Sequence, residues 1–233
     1  MSATPDTPTH RRRQYVAFGV LSLVAGGFTG ILSPSPGGTT LFEAYFGSIP
    51  PLLAVAVTAL AGLVSLAFLQ TRGWFEIYTL TSARGLGVSA ALATLFGVWQ
   101  VCADVLVTRF PRDINVPPPQ SLLFYPAMAY VVEVVFHALP LALLLALLGR
   151  STQRVNTTVV IGLCIVVVSS LEPVLVHLRT GSSAYVGTFV FVFTLVELYV
   201  FRRYDFISMY AFRLVFYLWW HVTWGYVRLR WLF

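Results

Sequence analysis

Pairs of ionisable residues at helical spacing are the features of this sequence that could do chemistry. Glu133 and His137 stand four residues apart, which places both side chains on one face of a helix. From that face a carboxylate and an imidazole can converge on one metal ion or one water molecule. Glu172 and His177 form a second pair, five residues apart, and the proline between them could open the helix enough for the two to converge.

A third set steps by four residues along one face of a later helix, and its members are Arg213, Tyr217 and His221. Ionisable groups that are left unpaired in hydrocarbon are costly, so they usually face the interior of a helical bundle. We therefore expect Glu133, His137 and His177 to lie together in that interior, within reach of one shared ion or water.

The elements that carry these residues are apolar runs. Of the 233 residues 58% are hydrophobic and 10% are charged, whereas soluble domains are about one quarter charged. A spanning helix needs about 20 apolar residues. We predict an all-α, polytopic transmembrane helical bundle, with a disordered cytoplasmic N-terminus over 1–14 and a single membrane-embedded domain over 15–233. The seven predicted spans are 15–33, 49–69, 85–108, 121–148, 156–178, 184–201 and 206–228.

The arginines between these runs orient the chain. A cytoplasmic N-terminus puts nine of them inside and five outside, which is the bias that the positive-inside rule favours. The net charge of +6 is spread over the ends of the apolar runs, so it indicates contact with lipid headgroups and not nucleic-acid binding. We expect an integral protein of a prokaryotic cell membrane.

The first two pairs also have a purely structural interpretation. Glu133 and His137 could form a buried pair that pins two helices together. His177 lies beside Leu178 and Arg179 near a predicted membrane edge, where an interfacial histidine is common.

Other charged residues have similar structural alternatives. Arg213 could serve as a counter-ion to Glu197 or Asp205. We interpret Asp104 as a polar contact between helices. Glu197 could pair with Arg202 and Arg203 and not with Arg213.

Two segments carry motif-like residues in a recognisable order. VEVVFH, residues 132–137, resembles a Glu-Glu-x-x-x-Arg motif, with Glu133 at the second glutamate. SSLEPVLVHL, residues 169–178, resembles a Phe-x-x-x-His motif, with His177 at the histidine.

A third segment, 198–221, resembles the region that carries a His-x-x-x-Asn or His-x-x-x-Asp motif. Arg213 falls at the histidine position and Tyr217 at the Asn or Asp position, and His221 lies further along the same face. Together the three segments resemble the CPBP family of intramembrane proteases, which includes CAAX prenyl endopeptidases and bacteriocin-processing or abortive-infection proteins. The resemblance covers roughly residues 121–225.

The resemblance implies hydrolysis of a peptide bond within the membrane, in a membrane peptide or protein. It implies that Glu133 activates a water and that His177 takes part in catalysis, with His177, His137 and His221 as candidate Zn²⁺ ligands. Glu172, Arg213 and Tyr217 complete the expected polar core. The alternative function is a non-catalytic membrane scaffold, or a proton or ion carrier that uses the same buried cluster.

Arg213 separates these two functions. A guanidinium is effectively always protonated and cannot bind a metal. If Arg213 contacts Glu133 or Glu172, we expect a structural or substrate-anchoring centre without peptidase activity. If it points away, His221 or His137 is free to complete a metal site.

Overall fold

A computed structural model describes residues 8–79, 82–149 and 156–232, and these residues form helices and connecting segments without a β-strand. The eleven α-helices among them are α1 Pro8–Leu32, α2 Gly38–Phe46, α3 Pro51–Thr71, α4 Ser82–Leu106, α5 Ser121–Val132, α6 Leu139–Leu147, α7 Thr157–Ser169, α8 Leu171–Thr180, α9 Ala184–Arg203, α10 Phe206–Tyr217 and α11 Gly225–Trp231.

Six helical stretches are long and apolar enough to cross a bilayer, and they coincide with the first six predicted spans. They are Arg11–Leu32, Pro51–Thr71, Ala83–Leu106, Ser121–Leu147, Thr157–Thr180 and Ala184–Arg203. The all-α class is confirmed, and these stretches indicate a membrane protein. The seventh predicted span, 206–228, lies in a rod of 26 helical residues that a π-helical segment divides into α10 and α11.

The first helix begins earlier than the sequence predicted. α1 starts at Pro8, so residues 8–14 are helical and the expected disordered stretch over 1–14 is wrong for that part. A proline is tolerated in the first turn of a helix, and arginine is a good helix former. Residues 1–7 lie outside the described part of the chain.

Two π-helical segments interrupt the helices that carry the candidate site. The first, Glu133–Ala138, lies between α5 and α6, and the second, Leu218–Trp224, lies between α10 and α11. Pro140 has no N–H and its ring would clash with the carbonyl four residues earlier, which accounts for the widened turn before it. Single π turns inside helices are frequent at functional sites.

Helix α10 lies at the centre of the bundle and packs against α4, α9 and α5. Two glycines in α4 allow this approach. A Cβ built on Gly85 would lie 2.3 Å from Ser208 Oγ, and one built on Gly97 would lie 2.7 Å from Trp219 Cβ. Asp205 caps α10 by accepting from the Ser208 backbone N–H at 2.7 Å, which fixes where the helix begins.

A buried ion pair connects the far end of this rod to α4. Arg228 donates through Nε to Asp104 Oδ2 at 2.8 Å, and also to the carbonyls of Phe110 and Pro111. Asp104 additionally accepts from the Phe110 N–H and from Trp224 Nε1. Asp104 therefore makes polar contacts between helices, as the sequence indicated. Arg228, the last residue of the predicted span 206–228, is fully buried.

Candidate functional site

Three carboxylates surround the guanidinium of Arg213 in the bundle interior. Arg213 Nε donates to Glu133 Oε1 at 2.8 Å, and its two terminal nitrogens bind the Glu172 carboxylate at 3.3 and 3.0 Å. The same guanidinium donates to Glu197 Oε2. Glu133 and Glu197 are fully buried, and Arg213 is 2% exposed. The sequence alternative in which Arg213 contacts Glu133 or Glu172 is the one observed.

His137 completes this group, which we call the ionic centre: Glu133, His137, Glu172, Glu197 and Arg213. His137 Nδ1 lies 2.8 Å from Glu133 Oε2. Its other ring nitrogen, Nε2, lies 3.7 Å from Glu172 Oε2 and has no hydrogen-bond partner among the described residues. The expected convergence of Glu133 with His137 is therefore observed.

Four separate helical elements supply the ionic centre. The π-helical segment after α5 carries Glu133 and His137, α8 carries Glu172, α9 carries Glu197 and α10 carries Arg213. Because Glu172 has a side chain that is 18% exposed, it is the most open member of the group. The centre thus links helices that are up to 80 residues apart in the chain.

The hydrogen-bonding capacity of Arg213 is fully used. A guanidinium has five N–H donors. Here one binds Glu133, two bind Glu172, one binds Glu197 and one binds the Tyr217 hydroxyl at 3.3 Å. Each oxygen of Glu133 also has a partner. Arg213 therefore has no free donor with which to bind a substrate.

His177 does not join the ionic centre, and its expected convergence with Glu133 is wrong. Its side chain is exposed, and Nδ1 contacts the Ser182 carbonyl at 2.9 Å. Five residues along a helix correspond to a rotation of about 140° beyond one turn, so Glu172 and His177 point to different faces of α8. Pro173 does not open the helix, because it lies in the first turn, where its missing N–H is not needed.

His221 is also outside the centre. Its ring stacks on Tyr125 with centroids 4.6 Å apart, and it meets the Tyr217 ring edge-on at 5.0 Å. Its Nδ1 is buried without a hydrogen-bond partner among the described residues. Tyr217 lies between the ionic centre and His221, since its hydroxyl accepts from Arg213 and its ring contacts the His221 ring.

Three members of the centre have a geometry that could hold a metal ion. Glu133, His137 and Glu197 each offer one ligand atom, and these atoms lie within 4.8 Å of one another. The guanidinium of Arg213 donates to both carboxylates of this trio, however, and would stand beside a divalent cation. Two like charges at such a distance repel strongly where water is excluded. The donor set as arranged therefore does not suit Zn²⁺, and the other two expected ligands, His177 and His221, lie elsewhere.

Glu197 is the member of the centre that the sequence reasoning did not include among the site residues. From the sequence, Glu197 could pair either with Arg213 or with the arginines that follow it, and the structure shows the pairing with Arg213. Arg202 instead donates to the Trp74 carbonyl. The signal for Glu197 was that an ionisable residue stands within the apolar run 184–201, where leaving it unpaired is costly.

Comparisons with known proteins add no family to this description. No protein-family model matches the chain, and neither the curated proteins nor the solved structures contain a significant match. The geometry of the described residues is therefore the basis for assigning a function.

Proposed function

We propose that this chain is a membrane protein that binds protons at the ionic centre. Proton binding is coupled to the arrangement of the helices, as in a proton-linked carrier. On this proposal the chain is not a peptidase. The observation that carries the proposal is the excess of acidic groups around one arginine. Three carboxylates face a single guanidinium, which leaves two negative charges if His137 is neutral and one if it is an imidazolium.

An excess of negative charge is costly in a region without water. Removing an ion from water costs several kcal/mol even after the surroundings relax, and ionisable residues inside membranes usually pair or relay protons. Binding a proton is the simplest way to reduce the excess. Glu197 is suited to hold it, because Glu197 Oε1 is buried without a hydrogen-bond donor among the described residues and the Glu133 carboxylate lies beside it.

Protonation of this centre would also change how the helices are held. Each carboxylate reaches Arg213 from a different helical element, so a carboxyl group that gains a proton weakens one link between α10 and a neighbour. A ligand that binds one helix arrangement better than another shifts the population towards it. A proton acts as such a ligand here.

The coupling can be tested by measuring a distance across the centre. Spin labels on exposed Leu178 of α8 and Leu218 after α10 report on the helices that Glu172 and Arg213 connect. We expect the distance distribution to change between neutral and alkaline pH, as the centre releases its extra proton, and the change to be lost in Glu197→Gln. The matched control, Glu43→Gln on the exposed side of α2, should behave as the wild type. A wild-type distribution that is the same at both pH values would overturn the proposal.

A second candidate function rests on one specific observation, the unpartnered Nε2 of His137. Glu133 accepts from Nδ1 of this ring, an arrangement that fixes the tautomer and leaves Nε2 as a base. In a peptidase that uses this base, His137, in place of the Glu133 that the CPBP resemblance implies, would take a proton from a water as the water oxygen attacks the peptide carbonyl carbon. The proton would then pass to the leaving amine, and the Tyr217 hydroxyl would donate to the developing oxyanion.

Peptidase activity distinguishes the two candidates. With labelled membrane peptides co-reconstituted in liposomes, the proton-binding proposal predicts no cleavage above empty liposomes. The peptidase candidate predicts cleavage that is lost in His137→Gln and kept in His177→Ala, because His177 lies outside the centre. Cleavage with that pattern would replace our first proposal.

The orientation and the seventh span belong to the same proposal. The rod from Phe206 to Trp231 is about 39 Å long at 1.5 Å per residue, which is sufficient to cross the hydrocarbon core. With seven spans in a prokaryotic cell membrane, a cytoplasmic N-terminus puts the C-terminus outside. A reporter fused after Phe233 should be active only on the outer face, and cytoplasmic activity would contradict this topology.

A further inference from the structure

A cavity of about 260 Å³ lies beside the ionic centre but is not part of it. Its walls come from α2, the segment around residues 114–116, α5 and the rod that carries α10. Since a water molecule occupies about 30 Å³ of liquid, the cavity has the volume of about nine waters. That volume accommodates a small organic molecule.

The walls of this cavity are rich in aromatic rings. Tyr45, Phe124, Tyr125, Tyr217 and His221 line it. The rings are in contact with one another, with Phe124 and Tyr125 edge-on at 5.4 Å and Tyr125 stacked on His221 at 4.6 Å. Aromatic pairs prefer these offset and edge-to-face arrangements, and a further ring that enters the cavity would find the same kinds of contact.

The lining carries no carboxylate, guanidinium or ammonium group among the described residues. Two guanidiniums lie close to the wall, and each is already paired with a protein oxygen. Arg213 is surrounded by carboxylates behind Tyr217, and Arg179 donates to the Ala44 carbonyl at 2.8 Å. Burying an ion without a partner is costly, so the cavity favours an uncharged occupant.

Two polar groups belong to residues that line the cavity. His221 Nδ1 is buried and has no hydrogen-bond partner among the described residues, and such groups are rarely left unsatisfied. The Tyr217 hydroxyl accepts from Arg213, and its own hydrogen is not used in that contact. Asn115 donates to the Trp220 and His221 backbone carbonyls at 3.2 and 3.3 Å, which holds this turn of the rod in place.

We propose that this cavity is a binding site for a small, uncharged aromatic molecule with one hydroxyl or ring N–H group. The ring of the ligand packs among Phe124, Tyr125 and Tyr217, and its polar hydrogen is donated to His221 Nδ1. Ligand sites of this kind combine a mostly apolar, aromatic wall with a few placed polar groups. Ligand binding here does not require the proton binding proposed for the ionic centre, although Tyr217 contacts both sites.

The experiment uses 4-fluorophenol as the probe, with ¹⁹F NMR on the full chain in detergent micelles and empty micelles as the reference for partitioning. We expect saturable binding to the wild type. Fluorobenzene lacks the hydroxyl and should bind about tenfold more weakly, since one hydrogen bond to a buried group is worth about 1.4 kcal/mol. 4-Fluorobenzoate, which is charged, should show no saturable binding.

Variants of the wall test the assigned contacts. His221→Phe keeps a ring but removes Nδ1, and it should weaken 4-fluorophenol about tenfold while leaving fluorobenzene unchanged. Met128→Trp fills the cavity and should abolish binding, and Val132→Phe provides a second filling variant if the first does not fold. Trp219→Phe is the matched control, because Trp219 donates to Thr94 outside the cavity. Binding that equals partitioning into empty micelles, that survives both filling variants, or that favours 4-fluorobenzoate would overturn the proposal.

Discussion

Replacing Arg213 by alanine removes the guanidinium that all three carboxylates of the ionic centre contact. Glu133 and Glu197 would lose their contacts with the guanidinium at positions that are fully buried, and Glu172 would lose its two-point contact. Removing one partner from a buried ion pair typically destabilises a protein by about 3–5 kcal/mol. We expect Arg213→Ala to lower the free energy of unfolding by that amount.

Lysine at the same position should restore part of this loss. It keeps the positive charge, but its three donors radiate from one nitrogen and cannot reproduce the planar, five-donor contacts of a guanidinium. Arg213→Lys should therefore lie between alanine and the wild type, at a cost of about 1–3 kcal/mol.

Unfolding by titration with a denaturing detergent in mixed micelles, followed by tryptophan fluorescence, gives these free energies. Arg203→Ala is the matched control, because Arg203 is exposed at the end of α9 and substitutions at such positions change stability by only about 0.5 kcal/mol. A double-mutant cycle with Glu172→Gln isolates the pair, and we expect a coupling energy of about 0.5–3 kcal/mol.

The result that would refute this reasoning is an Arg213→Ala variant as stable as Arg203→Ala. Strict additivity of Arg213→Ala and Glu172→Gln would equally show that the contact contributes no interaction energy.

Three further predictions follow from the same structure. His177→Ala should change the free energy of unfolding by no more than about 0.5 kcal/mol in the same titration, because the side chain is exposed, and a larger loss would mean that His177 has a buried role. Arg228→Ala should lower the free energy of unfolding by about 3–5 kcal/mol, because it leaves the buried Asp104 without its counter-ion. Limited proteolysis should then cut the chain near residues 107–112, which Arg228 holds through the Phe110 carbonyl. A variant that is as stable as the wild type and resists cleavage would contradict the buried pair. Gly97→Ala should destabilise the protein by about 1–3 kcal/mol, because the added Cβ would meet Trp219. Gly19→Ala is the control, since Gly19 has open space around it, and it should stabilise the protein by up to about 1 kcal/mol. Equal effects of the two substitutions would show that α4 does not approach the rod so closely.

Local periodicity in the sequence predicted the features that depend on one helix at a time. The first six spans agree with the apolar runs to within a few residues, since the hydrocarbon thickness sets the length of such runs. The contact between Glu133 and His137 followed from their spacing on one face. The choice of Arg213 as the residue that decides between functions followed from its fixed charge.

Features that depend on how helices are rotated against one another could not be read from the sequence. The turn at Ser170 separates α7 from α8 and sets which face of α8 points inward, so it directs Glu172 to the centre and His177 away from it. Arg228 lies near the end of an apolar run and looks like a residue of the membrane edge. Only the tertiary packing places Asp104 against it.

The central claim is that the ionic centre holds an extra proton at neutral pH, and infrared spectroscopy of the protein in membranes tests it most directly. A protonated carboxyl group has a C=O stretch that is separate from the bands of carboxylates. We predict that this band is present in the wild type at neutral pH, absent in Glu197→Gln and retained in the control Glu43→Gln. A wild type without the band, or a band that Glu197→Gln leaves unchanged, would contradict the account.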